Sequence, residues 1–292
     1  MNIAENYLLG MDLGTTNVKA IIMDENGNVI ATASRANSLI VPSPNTAEQD
    51  ANVWWQNTVE ILKEVTHKAG YELVKKIKGI SVSSQTVTML PVDENGTPLR
   101  NAIIWMDGRS EKQLQYIIDQ IGFDRYVSII GGQPDTGFLP NKILWFKENE
   151  PELFSKTYKI LQASSYINYK LTGKMTMDID QAGKSQCLDI STLQWSDEIS
   201  RVIGADLNQL LPKPQAITDI IGTVSEEAAA ITGLVSGIPV VAGASDAIAS
   251  MYAIGLSRIG DAGESSGTSS LVFAGSMAKT SVAKPCTIGE TP

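Results

Sequence analysis

Short apolar runs alternate with turn residues along the first ninety positions. Tyr7 to Asp12 is one run, followed by Gly14-Thr15-Thr16-Asn17; Val18 to Asp24 is the next, ended by Glu25-Asn26-Gly27-Asn28; Val29 to Ala36 is the third. Apolar runs bounded by such residues predict strands, and Asn-Gly between two of them predicts a hairpin. Consecutive strands joined by tight turns make an antiparallel meander. A helix follows, because Val53, Trp54, Ile61, Leu62, Val65 and Ala69 recur near the helical period behind Asp50, a suitable N-cap. The apolar, β-branched stretch from Lys76 to Ser83 predicts a buried strand, and Val87 to Val92 another, closed by Asp93-Glu94-Asn95-Gly96-Thr97-Pro98. Helices are expected from Ser110 to Ile121, Asn141 to Asn149, Ser164 to Leu171 and Ser225 to Thr232. Glu226 and Glu227 favour the last of these by lying near its positive end. Pro239 to Ala242 predicts a short strand that leads into Gly243-Ala244-Ser245-Asp246.

Beyond Asp246 the pattern starts again. Ala247 to Ile254 is a small-residue helix, Asp261 to Glu264 a strand, Ser265-Ser266-Gly267-Thr268-Ser269 a polar turn and Ser270 to Ala274 a strand. This echoes residues 8–24 as a weak internal repeat. The expected organisation is an α/β domain over residues 1–244 and the beginning of a second, incomplete unit over residues 245–292. The first domain should hold a mixed sheet of about five strands, with parallel strands added after helices through right-handed crossovers. Residues 245–292 are too few to close a core, so exposed strand edges and self-association, as a homodimer, are expected there.

Composition narrows the function classes. A length of 292 residues is more than one average domain, and 43% hydrophobic residues supply a sizeable core. Lys plus Arg number 23 against 32 Asp plus Glu, a net charge of −9, which repels phosphate backbones and argues against nucleic-acid binding. A small anionic ligand stays possible, because backbone amides bind phosphate without a basic surface. Cys187 and Cys286 stand in unrelated contexts, which gives neither a disulfide framework nor a zinc site and fits a reducing cytosol. His67 is the single histidine and sits in a polar helical run, so His-based triads fall away. The run from Tyr7 to Ile22 is broken by Asp12, Asn17 and Lys19, too polar for a membrane span. The start carries Glu5 and no basic segment, unlike a signal peptide. The expectation is a soluble cytoplasmic protein.

Four segments carry candidate chemistry. In Gly10-Met11-Asp12-Leu13-Gly14-Thr15-Thr16-Asn17-Val18-Lys19, Gly14 permits a tight turn, and amides with the Thr15 and Thr16 hydroxyls can point at phosphate oxygens. Asp12 at a strand end can hold hydrated Mg²⁺ beside that phosphate. Lys19 lies near the loop but does not complete GxxxxGK[ST]. The segment is equally explained as a hairpin whose turn favours Gly and Thr. Asp246, after small residues at a strand end, can serve as a general base, or as an N-cap. Ser265 to Ser270 is a second Gly/hydroxyl turn, or an ordinary hairpin loop. Trp105-Met106-Asp107-Gly108-Arg109 offers an aromatic face, a carboxylate and a guanidinium to a polyhydroxylated ligand, or is a salt bridge beside a core Trp. Cys187 suits a small core position, and Trp54 and Trp55 suit packing under the helix.

Taken in order, these segments are far more specific than any one alone. Asp12-x-Gly14-Thr15-Thr16-x-x-Lys19, Gln85 to Thr88, Trp105-x-Asp107-x-Arg109, Lys142-x-x-Trp145, Gly243-x-x-Asp246 and Gly267-Thr268-Ser269 occur in one sequence. This arrangement resembles the FGGY family of carbohydrate kinases, and within it the xylulokinase-like members, from about Tyr7 to about Gly275. The resemblance implies two actin-like, ribonuclease H-like domains around a cleft, and transfer of the γ-phosphate of ATP to a sugar hydroxyl. It implies that Asp12, Gly14, Thr15, Thr16 and Lys19 serve the first phosphate site, with Mg²⁺ held through water by Asp12. Gly267, Thr268 and Ser269 would begin the second phosphate site, Asp246 would be the catalytic base, and Gln85, Thr86, Trp105, Asp107, Arg109 and Asp246 would meet the sugar.

Three departures accompany the resemblance. Family members are longer, and their adenosine-binding segments lie in the second domain, so this chain by itself is expected to bind ATP weakly or not at all. Xylulokinases usually carry Met-His after the residue matching Gln85, where this chain has Thr86 and Val87. The residue after the base is commonly Asn or Gln, and here it is Ala247. The implied partners are ATP and a ketose or polyol. A non-catalytic sugar-binding or scaffold module on the same fold, a kinase of glycerol or gluconate, or another actin-like phosphotransferase are the alternatives. The retained Asp12, Asp246 and Gly/Thr loops favour the kinase.

Overall fold

The computed structural model describes residues 5–256, 258–266 and 270–274. Strands β1 (Tyr7–Leu13), β2 (Asn17–Asp24) and β3 (Val29–Ala36) form the expected antiparallel meander, with Asp12 opposite Lys19 and Ala20 opposite Ala33. Along β1 the side chains of Tyr7, Leu9, Met11 and Leu13 are buried, while Leu8 is half exposed. Successive strand residues face opposite sides, so this pattern puts Gly10 and Asp12 on the side away from the core. Helix α1 (Ala51–Ala69) packs on the core side through Trp54, Ile61, Leu62 and Val65, and Asp50 caps it by accepting from Asn52 N.

After α1 the chain returns as β4 (Ile77–Ser84), parallel to β1. Two later strands, β5 (Ile220–Thr223) and β6 (Pro239–Val241), extend the sheet to the order β5-β6-β4-β1-β2-β3. The sheet is mixed, as expected, but has six strands in place of five. The additional strand, β5, runs antiparallel to β6 at the edge, with a register shift between Ile220 and Gly222. It is short and Ile220 is exposed, so it carries no buried alternation by which a strand is recognised.

A second apolar cluster lies in the residues between β4 and β5. It is built by α2 (Glu111–Ile121), α3 (Phe123–Ile130), α4 (Leu139–Asn149) and, later in the chain, Cys187, Trp195 and Ile199. Further helices are α5 (Ala163–Thr172), α6 (Ile179–Lys184), α7 (Asp197–Ile203), α8 (Glu226–Thr232) and α9 (Asp246–Ala253). The expected strand from Val87 to Val92 is corrected: the strand is Leu90–Val92, which pairs with Lys159–Leu161 outside the main sheet, and Met89 just before it makes an isolated bridge to Ile103. Val87 adopts φ 50°, a left-handed conformation that ends any regular strand at that point. Farther on, β7 (Ala262–Ser266) and β8 (Ser270–Ala274) form the expected antiparallel hairpin as a separate sheet. Gly267, Thr268, Ser269 and Cys286 lie outside the described residues. Among the described residues no helix is long and apolar enough to cross a membrane.

Candidate active site

Strands β1, β4 and β6 run parallel, and their carboxyl ends lie side by side. That edge of a parallel sheet is where ligands gather in α/β folds. In register, Asp12 faces Ser83 across the ladder, and Ser84 makes a parallel bridge to Ser245, the residue before Asp246. The Ser83 hydroxyl donates to Asp12 Oδ1 at 2.9 Å. Gly243 permits the exit from β6: its φ is 82°, and a Cβ there would fall 2.3 Å from the Val82 carbonyl oxygen.

The N-cap of α9 is Ser245, whose hydroxyl accepts from Ile248 N at 3.4 Å. The reading of Asp246 as the cap is thereby corrected. Asp246 occupies the first helical turn, exposed, with Oδ1 accepting from Ala247 N at 2.7 Å. Partial loss of hydration raises its pKa above the ordinary carboxylate range, and the Asp12 carboxylate adds to the rise, while the Ala247 N–H and Lys184 oppose it. The two carboxylates are thus electrostatic neighbours, although 234 positions apart in a chain numbered from Asp12 to Asp246. Helix α6 fixes this corner. Asp180 Oδ2 accepts from Ser245 N at 2.9 Å, and Lys184 Nζ pairs with Asp180 at 3.2 Å and donates to the Ser245 hydroxyl. Sequence reasoning missed Asp180 and Lys184. Their only signal is an i,i+4 acid–base spacing, which on most helices marks a surface pair.

The first loop divides its two threonines between different tasks. Gly14 N donates to Asn17 O at 3.0 Å, and Asn37 Nδ2 donates to Gly14 O at 2.8 Å. Thr16 is exposed. Thr15 is turned inward: its hydroxyl donates to Gln85 Oε1 at 3.1 Å and accepts from Trp105 Nε1 at 3.0 Å. Gln85 Nε2 donates to Gln49 Oε1 at 2.7 Å, and Gln49 Nε2 closes the ring on the Thr15 carbonyl at 2.7 Å. The structure therefore joins the Gly/Thr loop, Gln85 and Trp105 into one unit. Gln49 completes this unit, and its sequence context, beside the cap Asp50, does not announce it. Lys19 is exposed on β2 and, with Gly10, Asp12, Ile21, Thr32 and Ser34, lines an open cleft of about 670 Å³ on the sheet face away from the core.

In the Trp105-x-Asp107-x-Arg109 segment the charges face inward. Asp107 is buried and accepts from Ala47 N at 2.6 Å and from Arg109 Nη2 at 2.7 Å. Arg109 also pairs with Glu48 at 2.7 Å, and Arg100 bonds both Glu48 and Glu150. Burial acts against the charge on Arg109, but Asp107 and Glu48 outweigh it and raise its pKa. The salt bridge foreseen as one explanation of this segment is present. The core Trp is not: Trp105 is 49% exposed. Thr86 is half-buried, and Val87, at the position where xylulokinases usually carry His, is buried. Cys187 is a buried free thiol, as expected of a core residue. Among the described residues no three His, Cys, Asp or Glu side chains converge as a metal cage.

The fold of solved FGGY carbohydrate kinases is actin-like, and the mixed sheet described above superposes on it. The solved xylulose kinase of Rhodospirillum rubrum matches with a TM-score of 0.84 at 30% identity, covering 88% of this chain and 52% of that one. Among curated relatives, the xylulose kinase of Lactococcus lactis is 35% identical over 250 residues, 86% of this chain and 49% of the relative. That of Bacillus subtilis is 33% identical over 267 residues, 91% of this chain and 53% of the relative. The chain thus spans about half the length of the curated relatives it matches. The model of the FGGY N-terminal domain matches residues 7–253, from the first strand of the sheet to the end of the helix that begins at Asp246, and the chain belongs to the FGGY family of carbohydrate kinases.

Proposed function

We propose that the chain carries the sugar site, the catalytic base and the first phosphate loop of an ATP-dependent kinase of a ketose or related polyol, a pentulose such as xylulose being the foremost candidate. The observation that supports this most is that Asp12, at the end of β1, and Asp246, just past the end of β6, stand on either side of β4 and sense each other's charge, with the cap role taken by Ser245 so that the Asp246 carboxylate is left for chemistry. Asp246 accepts the proton of a sugar hydroxyl as that oxygen attacks the γ-phosphorus; the bond from γ-phosphorus to the bridging oxygen breaks, and ADP leaves. Phosphoryl transfer depends chiefly on positioning and charge stabilisation. The amides and hydroxyls of Gly14, Thr15 and Thr16, with Lys19 nearby, serve one phosphate site, and Gly267, Thr268 and Ser269 a second. Asp12 supplies a hard carboxylate oxygen beside a second carboxylate, which suits hydrated Mg²⁺, an ion held by one or two carboxylates with water and phosphate oxygens. Mg²⁺ would neutralise charge on the transferring phosphate.

Trp105 presents its exposed ring to the C–H face of the sugar, beside Gln85 and Thr86, while Asp107 and Arg109 fix and polarise that wall. ATP and the sugar are the proposed partners, the cytoplasm the proposed location, and the hairpin β7–β8 the proposed edge for a homodimer. Calorimetric titration of the chain with D-xylulose, D-gluconate and glycerol tests the reading. Binding of a ketose or polyol that is lost in Trp105→Ala supports it; a chain that binds none of these overturns it.

A further inference from the structure

Helix α4 carries Lys142 and Trp145 one turn apart, and both reach the loops assigned above to the sugar. Lys142 is fully buried, and its Nζ donates to the Val87 carbonyl at 2.9 Å and the Ile104 carbonyl at 2.8 Å. Those carbonyls belong to different loops: Val87 follows Gln85-Thr86, and Ile104 immediately precedes Trp105. The loops are joined farther back, where Met89 and Ile103 exchange backbone hydrogen bonds of 2.8 and 3.0 Å. Beyond that pair the ladder stops, and two acceptors converge on one nitrogen. Acceptors cannot satisfy each other; the Ile104 carbonyl also accepts from Asp107 N at 3.1 Å, so it is the Val87 carbonyl that would be left unpaired without Lys142, and a buried unpaired carbonyl is costly.

Val87 is held at φ 50°, a conformation that a β-branched residue keeps only when its surroundings over-determine it. Trp145 meanwhile lies under the Arg109 guanidinium at 4.9 Å, so the same helix backs the Trp105–Arg109 loop a second time. Enclosing an ammonium works against its charge. Burial lowers the Lys142 pKa to about 7, Arg109 adds to the fall, and Asp107 and Asp135 oppose it. An apolar residue of the same length would avoid that penalty, so the lysine is explained by what it holds.

We infer that Lys142 is a positioning residue of the sugar site: its Nζ fixes the spacing between the Gln85–Thr86 segment and Trp105, and so the width of the slot that a pentulose or polyol enters. This rests on the sugar-kinase reading above. Lys142 touches neither sugar nor phosphate; it acts through the two carbonyls. The reach of the effect is set by Trp105, which is bonded to Thr15, so a shift of the Ile104 carbonyl is passed to the phosphate loop as well.

The test compares the unmutated chain with Lys142→Met, which keeps an unbranched side chain one atom shorter and removes the donors. D-xylulose affinity is measured by calorimetry, and amide exchange is followed at Met89, Asp107 and Ile61. Misplacing binding groups by a fraction of an ångström is expected to weaken D-xylulose roughly tenfold or more. Exchange should quicken at Met89 and Asp107 while Ile61, in α1, keeps its rate. A general loss of stability would instead quicken all three amides together. A folded Lys142→Met with unchanged affinity and unchanged exchange overturns the inference. If Lys142→Met does not fold, Lys142→Gln is assayed in the same way, since it keeps two N–H donors without added bulk. Weakened D-xylulose binding is expected of it, and wild-type affinity with wild-type exchange overturns the inference. An unmutated chain that binds none of D-xylulose, D-gluconate and glycerol sinks the sugar reading and this inference with it; if it binds one of the latter two in place of D-xylulose, that ligand is used in the comparison, and equal binding by the unmutated and Lys142→Met chains sinks the inference alone.

Discussion

The sheet core and the helical layer beside it bury side chains in different company. Under the meander, Leu9, Leu13, Val18 and Ile22 meet Trp54, Ile61, Leu62 and Val65, and the polar groups are pushed to the strand ends. In the layer formed by α2, α3 and α4, Ile103, Ile143 and Phe146 pack beside fully enclosed Lys142 and nearly enclosed Asp107 and Glu48. Burial pushes the Cys187 thiol up to about 12 and raises the Tyr126 hydroxyl, while Asp178 is raised to about 7. The first region is held by area removed from water, which is tolerant of detail. The second adds to its apolar contacts buried charges that must keep their partners, and those partners lie on the loops that carry the candidate sugar residues. Site geometry and local stability are therefore coupled in the helical layer and largely separate in the sheet core.

This contrast is sharpened most by removing one buried charge. Asp107→Ala leaves Arg109 enclosed beside Glu48 alone and strands Ala47 N, and is expected to cost about 3–5 kcal/mol. In the sheet core Leu62→Ala is expected to cost about 2–5 kcal/mol, from lost transfer energy and a cavity. The difference lies in function: by denaturant titration both lose stability, but in the folded fraction only Asp107→Ala should lose sugar binding. Equal sugar affinity in the two folded variants would break the contrast.

A smaller effect concerns pH. Asp178 is buried, caps α6 by accepting from Gln181 N at 2.8 Å, and its Oδ2 has no hydrogen-bond partner. Burial therefore raises its folded pKa above the unfolded value. The folded state then binds more protons than the unfolded state between about pH 4 and 7, and this group's contribution to stability falls as pH rises through that window. Asp178→Asn keeps a good cap and removes the titration. Its melting temperature should exceed that of the unmutated chain at pH 8 and approach it at pH 4. A difference that does not change with pH would contradict the assignment. The smallest effect expected is that of Ser245→Ala, about 1 kcal/mol from a lost cap, read by thermal melting.

The meander, α1 and the strand–turn–helix at Gly243 were legible because each has a complete local signal. Alternation, Asn-Gly and Asp50 mark the first two, and small residues before Asp246 mark the third. Strand β5 and helices α3, α6 and α7 were not legible. β5 is an exposed edge, and α6 and α7 are each under two full turns, too short for a period to show. Asp12, Thr15, Gln85, Trp105 and Asp246 stand out in the sequence because their residue types carry chemistry in a recognisable order, and the fold brings Thr15, Gln85 and Trp105 together. Gln49, Asp180 and Lys184 were missed because they act through backbone and hydroxyl groups that only the fold brings near. Ser245 shows the same limit, since either it or Asp246 suits an N-cap and only the helix geometry chooses.

The central claim is that Asp246 accepts a proton from the sugar and does not merely start a helix. Turnover, read as sugar-dependent ADP release, tests it most directly in a protein that carries this chain together with the family's second domain, compared between the unmutated form and Asp246→Asn, with melting temperature recorded beside it. A positioned base contributes on the order of 10²–10⁴-fold, so kcat should fall by about that factor while sugar affinity and melting temperature stay close to wild type. Near-normal turnover in Asp246→Asn, accompanied by a loss of several degrees in melting temperature, would contradict the account.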